Sequence, residues 1–336
     1  VKDSISAWDI VVIGAGPAGL FAAALLAPRF SVLVVDRRPI GEGKVCAGLM
    51  SHEAHQLLCA EGEGGDMYEE PARLDLVAVI EGGTLPARPF WNVDRGALQV
   101  WMASRAEAAG AVLVRSCLRS VTKAKHAWNL TFDEGKLVLA SVLIGADGAA
   151  SSTRRALGFE AAPFAAARQC VVEGHAEKAY LVLDRGEGET YYCWAVPKRS
   201  GVLVGAADPM GFPERALRVL SSRIADFATG SPIAEERGMY TRVRGMGEVA
   251  LGVPGAFLIG EAAGLVLPSS GEGLGGALES AAAVAKVLCE AGLSQAGLGR
   301  DGAPAVLEDY RAALAPRLSR IEKDIELYKS LSAGSL

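Results

Sequence analysis

Three glycines and one carboxylate make the first constellation with chemistry in it. Gly14, Gly16 and Gly19 fall within VVIGAGPAGL, and Asp36 follows in SVLVVD. A glycine at the first position permits a tight turn. At the second it lets a pyrophosphate approach the backbone, and at the third it lets a helix pack closely on a strand. The N–H groups at the start of the following helix face the phosphates. A carboxylate about 20 residues further on, at the end of the next strand, hydrogen-bonds an adenosine ribose. A valine at Gly14 is expected to collide with the pyrophosphate. Arg37 and Arg38 suit a ribose 2′-phosphate, but Asp36 would meet that phosphate with like charge. This motif by itself fits a nicotinamide or a flavin dinucleotide.

Two further stretches carry carboxylates among glycines. VLIGADGAASSTRRALG (142–158) holds Gly145, Asp147, Gly148, Ser151 and Arg154. FLIGEAAGLVLPSSGEGLGGALESA (257–281) stops an apolar run at Gly260-Glu261 and places Gly271-Glu272-Gly273 before a run of small residues. A helix cap followed by a flexible loop accounts for those glycines. A backbone cradle whose helix N-terminus favours a negatively charged ligand accounts for them equally.

The elements that must position these residues read as follows. Residues 9–13 form a buried parallel strand, 19–27 a helix of small residues, and 31–36 the next strand, which makes a βαβ unit at the start. Residues 41–92 are loop-rich. A helix runs from Asp94, as its N-cap, to Ala109, with Gly110 beyond its end. Short strands are expected at 112–115, 128–132, 136–139 and 142–144. From about 160 to 250 the pattern is sheet-like, interrupted by a helix near 213–228. Residues 256–260 return to the parallel-strand pattern. The tail, 303–332, is helical, with Leu307, Tyr310, Leu314, Leu318, Ile321, Ile325 and Tyr328 on one face and Pro316 dividing it. That face is expected to pack on the body. The fold class is therefore α/β: a discontinuous dinucleotide domain (1–160 plus 251–300), an inserted antiparallel-sheet substrate domain (161–250) and a helical tail (301–336).

Composition narrows the function. The chain has 336 residues, half of them hydrophobic, and 40 glycines. A formal charge of −5 disfavours a nucleic-acid binder, which needs a basic face. The six cysteines form no C-x-x-C pair and no zinc-ligand spacing, so they read as mostly buried thiols of a reducing cytosol. No metal site is expected. Residues 11–27 are too short and too broken by glycine to span a membrane. A soluble cytoplasmic chain, with membrane contact at most peripheral, is the expectation. His52 and His55 sit three apart and are read as solvated or capping residues.

Taken together, these motifs resemble the FAD-dependent p-hydroxybenzoate hydroxylase-like group. Gly145-x-Asp147-Gly148 is similar to its second motif. The strand ending at Gly260-Glu261 is similar to its third, with Glu261 where the group has an aspartate that holds the ribityl chain. Asp94-Arg95 matches the group's helix-start arginine. Within the group, GKVCAGLMS (43–51), YYCWAVPK (191–198) and LPSSGEGLGGALESA (267–281) resemble three segments of the geranylgeranyl reductase family. Ala47, Val196, Glu261 and Leu267 depart from that pattern.

The resemblance implies an FAD-binding set of Gly14, Gly16, Gly19, Asp36, Arg37, Arg95, Asp147, Gly260, Glu261, Gly271, Glu272 and Gly273. It implies Cys46 as the candidate catalytic residue, with Lys44 beside it favouring a thiolate. Tyr192 and Trp194 share one strand face and would wall an apolar pocket. Only one dinucleotide fingerprint occurs, so the reductant would be a transient NAD(P)H or a redox partner protein. Reduction of an apolar, prenyl-like C=C bond is the leading expectation. A monooxygenase or halogenase of the same fold is the alternative, and a non-catalytic electron carrier is a third reading.

Overall fold

The computed structural model describes residues 6–333 except 43, 61, 63, 81–82, 126, 187–188, 208–211, 225–226, 228–229 and 294–297. In chain order the elements begin with β1 (Ser6–Ile13), α1 (Pro17–Leu26), β2 (Val32–Asp36), β3 (Leu49–Met50) and α2 (His52–Cys59). Next come β4 (Tyr68–Ile80), β5 (Gly83–Thr84), β6 (Arg88–Val93), α3 (Arg95–Ala108), β7 (Val112–Arg115) and β8 (Leu118–Lys123). The middle holds β9 (Trp128–Phe132), β10 (Leu137–Gly145), α4 (Ser152–Ala156), β11 (Phe164–Val172), β12 (Ala179–Gly186) and β13 (Glu189–Lys198). Then follow β14 (Gly201–Ala207), α5 (Glu214–Arg223), β15 (Pro232–Thr241), β16 (Gly252–Val253) and β17 (Ala256–Leu258). Three helices close the chain: α6 (Leu274–Ala291), α7 (Gly299–Ala313) and α8 (Ala315–Ala333).

These elements form two compact units. The first comprises Val1–Glu42, Gln99–Pro163 and Thr241–Ser330. Its sheet runs β16-β17-β10-β1-β2-β7, with the β8–β9 pair joined to β10. β1 lies between β10 and β2, parallel to both, with Val12 opposite Ile144 on one side and Val34 on the other. Such central strands are covered on both faces and read as continuous apolar runs, and Ile10, Val11, Val12, Val32 and Val34 are fully buried. α6 packs on α1. The small side chains of both helices permit this close approach, and Ala18 lies against Gly260.

The second unit comprises Gly43–Leu98, Phe164–Tyr240 and Leu331–Leu336. Its sheet runs β15-β11-β14-β13-β12-β4-β6-β3. Neighbouring strands whose register is defined are antiparallel except β12 and β4, which run parallel. One face packs Cys170, Cys193, Val204 and Leu220 around α5. The other packs Leu74, Trp194, Val196 and Leu203.

Several sequence expectations need correction. Residues 43–98, expected in the dinucleotide domain, cluster with the second unit because β4 and β6 complete its sheet. The tail helices cluster with the first unit rather than forming a separate piece. The segments 136–139 and 142–144 are one nine-residue strand, since β9 and β1 both pair with it. The helix near 213–228 ends at Arg223, and part of its expected remainder lies outside the described residues. The tail does divide near Pro316, with the break at Leu314. All six cysteines are thiols, but only Cys170 and Cys193 are fully buried. Burial pushes the Cys170 thiol up to about 11. His55 is buried rather than solvated, stacked on Trp91 at 3.7 Å with Nε2 2.7 Å from the Tyr68 hydroxyl.

Candidate functional site

In the first unit, the three glycines of the β1–α1 turn have distinct surroundings. Gly14 has φ +109°, and a Cβ there would run into the Ala146 carbonyl. Gly19 is closed by the Gly14 carbonyl. Gly16 has nothing within 4 Å of where its Cβ would lie. It is also the N-cap of α1, and no side chain caps that helix. The first N–H groups of α1 are thus left for a ligand on the open side of Gly16.

Asp36 ends β2 and turns back on this loop. Its Oδ2 accepts the Ala15 N–H at 2.7 Å, and its Oδ1 accepts the Arg38 N–H at 2.8 Å. Gln99 Nε2 donates to the Ala15 carbonyl at 2.7 Å. Beside them lies a cavity of about 430 Å³ whose lining includes Ala15, Asp36, Arg38, Val100, Val114 and Arg115. Its apolar walls and polar rim suit an adenosine-sized group. Arg38 lines this cavity; Arg37, the residue singled out from sequence, is exposed outside it.

The Gly145–Gly148 turn and Glu261 come together in the same unit. A Cβ at Gly148 would lie 3.5 Å from Glu261 Oε2. Glu261 Oε1 accepts the Thr241 N–H at 2.9 Å, and its carbonyl accepts the Thr241 hydroxyl. Asp147 is engaged in its own loop. Its Oδ1 accepts the Ser151 hydroxyl at 2.5 Å, and its Oδ2 takes the N–H groups of Ser152 and Thr153. That satisfies the start of α4. Arg154, 4% exposed, donates to the carbonyls of Glu160 (2.6 Å), Glu248 (2.7 Å) and Ala262 (3.1 Å). It thereby ties α4 to the segment after Glu261.

The Gly271–Gly273 turn leads into α6, with Gly273 as N-cap and Gly271 at φ +68°. Glu272 is part of the helix start. Its Oε1 accepts the Gly275 N–H at 2.5 Å, and its Oε2 accepts from Arg317 Nη2 at 2.9 Å. Sequence reasoning passed over Arg317. The one available signal was a cation placed within the apolar stripe of the tail.

In the second unit, Tyr192 and Trp194 share one sheet face, and the neighbours of Cys46 in sequence pack there. Val45, Ala47, Leu49 and Tyr192 pack against the cluster containing Trp194. The Tyr192 and Trp194 rings lie 5.9 Å apart. Cys193 packs on the opposite face, as strand alternation requires. Trp194 lies flat over Gly205, where any Cβ would enter its ring, and its indole N–H is buried without a partner. Cys46 Sγ accepts the Gly48 N–H at 3.5 Å. Close to that loop, Lys198 Nζ donates to Asn92 Oδ1 at 2.7 Å and to the Val93 carbonyl at 3.1 Å. Burial lowers the Lys198 amine to about 8. Asp94 caps α3 through the Ala97 N–H, and the neighbouring Arg95 has Nε and Nη1 buried without partners.

Among the described residues no His/Cys/Asp/Glu group could hold a metal ion, and no helix is long and apolar enough to cross a membrane.

Comparison with known proteins agrees with this architecture. Residues 12–42 match the family model of an NAD(P)-binding Rossmann-like domain. Protein CbrA of Escherichia coli K12 is 28% identical over 297 residues, covering 84% of each chain. A geranylgeranyl bacteriochlorophyll reductase-like protein from Thermoplasma acidophilum superposes with a TM-score of 0.80 at 20% identity, over 98% of this chain and 88% of that one. PqsL of Pseudomonas aeruginosa, a probable FAD-dependent monooxygenase, superposes at 0.68 with 18% identity, over 98% and 96%. The fold is the α/β architecture of FAD-dependent hydroxylase-like flavoproteins, with a Rossmann-like dinucleotide-binding domain and a helical C-terminal region.

Proposed function

We propose that this chain is an FAD-dependent oxidoreductase that reduces C=C bonds of an apolar, prenyl-like substrate. The residues present fit FAD. Gly16 leaves the backbone open beside an uncapped helix start, and Asp36 stands at the rim of an adenosine-sized cavity. Gly14, Gly16 and Gly19 would shape the pyrophosphate turn, while Glu261 and the Gly271–Gly273 turn would serve the ribityl and ring portions. Arg95, with two buried and unpartnered N–H donors, retains hydrogen-bonding capacity for a ligand. Bound and reduced, FAD would supply a hydride to one alkene carbon.

The observation that carries the reductase reading is the apolar sheet face shared by Tyr192, Trp194 and the Cys46 loop. Those aromatics would hold the alkene and exclude water. Cys46 would act as the thiol, not as the thiolate that Lys44 was expected to favour: its S–H proton would go to the second carbon, and the sulfur would regain a proton from solvent. The reductant is a transient NAD(P)H or a redox partner protein, since one dinucleotide fingerprint serves the FAD. The proposed site of action is cytoplasmic, with membrane contact at most peripheral.

Likeness to a probable monooxygenase and to the halogenase PltM supports a second reading, oxygenation or halogenation on the same fold. Product analysis separates the two. FAD-loaded protein with dithionite and a prenyl alkene under nitrogen should yield the alkene with two hydrogens added. Turnover only in air, giving an oxygenated product, would overturn the reductase assignment.

A further inference from the structure

The tail helices grip the glycine-rich segment at successive points. Tyr310 of α7 donates its hydroxyl to the Leu258 carbonyl at 3.0 Å and sets its ring edge-on to Phe257. In α8, Arg317 is 1% exposed. Its Nη2 donates to the Leu265 carbonyl at 3.0 Å and to Glu272 Oε2 at 2.9 Å. Seven residues on, which is two turns and therefore the same helix face, Asp324 accepts the Ser269 N–H at 2.8 Å and its hydroxyl at 2.6 Å. Gly275 and Gly276 lack side chains where Arg317 lies: a Cβ would sit 3.2 Å and 2.9 Å from its guanidinium. Helix packing alone does not require a buried guanidinium and a carboxylate aimed at one loop, because apolar side chains would fill the same stripe without desolvating charge.

We propose that α8 braces the flavin-facing loop: Arg317 and Asp324 are positioning residues that hold 265–272 in the shape FAD requires, so FAD binding and α8 docking are coupled. This rests on the FAD reading above. By linkage, a ligand that needs the braced loop must in turn stabilise the brace. Both acceptors are met by Nη2 of the guanidinium, whose Nε and Nη1 are buried without a hydrogen-bond partner, and a lysine ammonium on its flexible stem does not reproduce that planar group.

The test is FAD titration by fluorescence, with amide exchange across 315–333. Arg317→Met should raise the FAD Kd at least tenfold and alter the visible circular dichroism of the bound flavin. Arg317→Lys should recover only part of either change, and Asp324→Asn should raise Kd severalfold. In the unmodified protein, FAD should slow exchange in α8 severalfold. That measurement decides the matter if Arg317→Met does not fold. A folded Arg317→Met protein with unchanged Kd and flavin dichroism, or α8 exchange indifferent to FAD, would overturn the proposal. Absence of FAD binding by the unmodified protein would instead overturn the cofactor reading.

Discussion

Asp36 accepts the backbone N–H of Ala15 at 2.7 Å, so the carboxylate that ends β2 also clasps the glycine turn that ends β1. One carboxylate oxygen fixes the loop, and the other is held by Arg38 N–H. The carboxylate and the glycine turn, which the proposed function assigns to the ribose and the pyrophosphate, are therefore tied together at the C-terminal edge of parallel strands.

Gly14 and Gly16 should respond differently to the same substitution. The expectation from sequence was that Gly14→Val blocks the pyrophosphate, but its Cβ meets the Ala146 carbonyl instead, at a positive φ. Gly14→Val should therefore lower the melting temperature and lose FAD. Gly16→Val, whose Cβ enters open space, should keep the melting temperature of the apoprotein and lose FAD alone. Calorimetry with flavin titration checks both, and FAD retention by folded Gly16→Val protein would place the pyrophosphate elsewhere.

Asp36→Ala removes the clasp and the ribose acceptor together. Hydrogen bonds to a charged group contribute about 1.5–3 kcal/mol each, so the FAD Kd should rise roughly ten- to hundredfold. Fluorescence titration reads this directly. A change below threefold would mean that Asp36 is not at the ribose.

Arg154→Met should destabilise the first unit irrespective of cofactor. It leaves three carbonyls, those of Glu160, Glu248 and Ala262, without their charged donor, at a cost of about 3 kcal/mol or more. Arg154→Lys should not restore stability, since one ammonium cannot span that fork. Urea midpoints of the apoproteins test it, and a loss under about 1 kcal/mol would refute the structural role.

Lys198 should leave a mark on the pH dependence of stability. Desolvation lowers its amine from 10.5 to about 8, so between those values the unfolded chain binds the extra proton. Stability from this group therefore rises as pH goes from about 8 to 10.5, and below that window its buried charge costs on the order of 3 kcal/mol. Lys198→Met should flatten this part of the unfolding free-energy profile relative to the unmodified protein. Identical pH slopes in the two proteins would contradict it.

The βαβ start was legible because its signals are local: glycine spacing, a small-residue helix and a strand-terminal carboxylate lie within Gly14–Asp36. The Asp94 cap was legible for the same reason. β4 was not, because Glu69, Glu70, Pro71 and Asp75 interrupt its apolar pattern, and pairing with β12 and β6 makes it a strand. Arg317, Gly205 and Lys198 also escaped notice. Their roles come from partners far along the chain: Leu265 and Glu272 for Arg317, the Trp194 ring for Gly205, and Asn92 for Lys198. Spacing within a segment carries no information about such contacts.

On the proposed function, bound FAD passes reducing equivalents to an alkene. The most direct test is the flavin absorbance of purified, FAD-loaded protein, reduced anaerobically and then mixed with either a prenyl alkene or air-saturated buffer. The oxidised flavin spectrum should return rapidly with the alkene and slowly with air. Rapid oxidation by air together with no reaction with the alkene would contradict it.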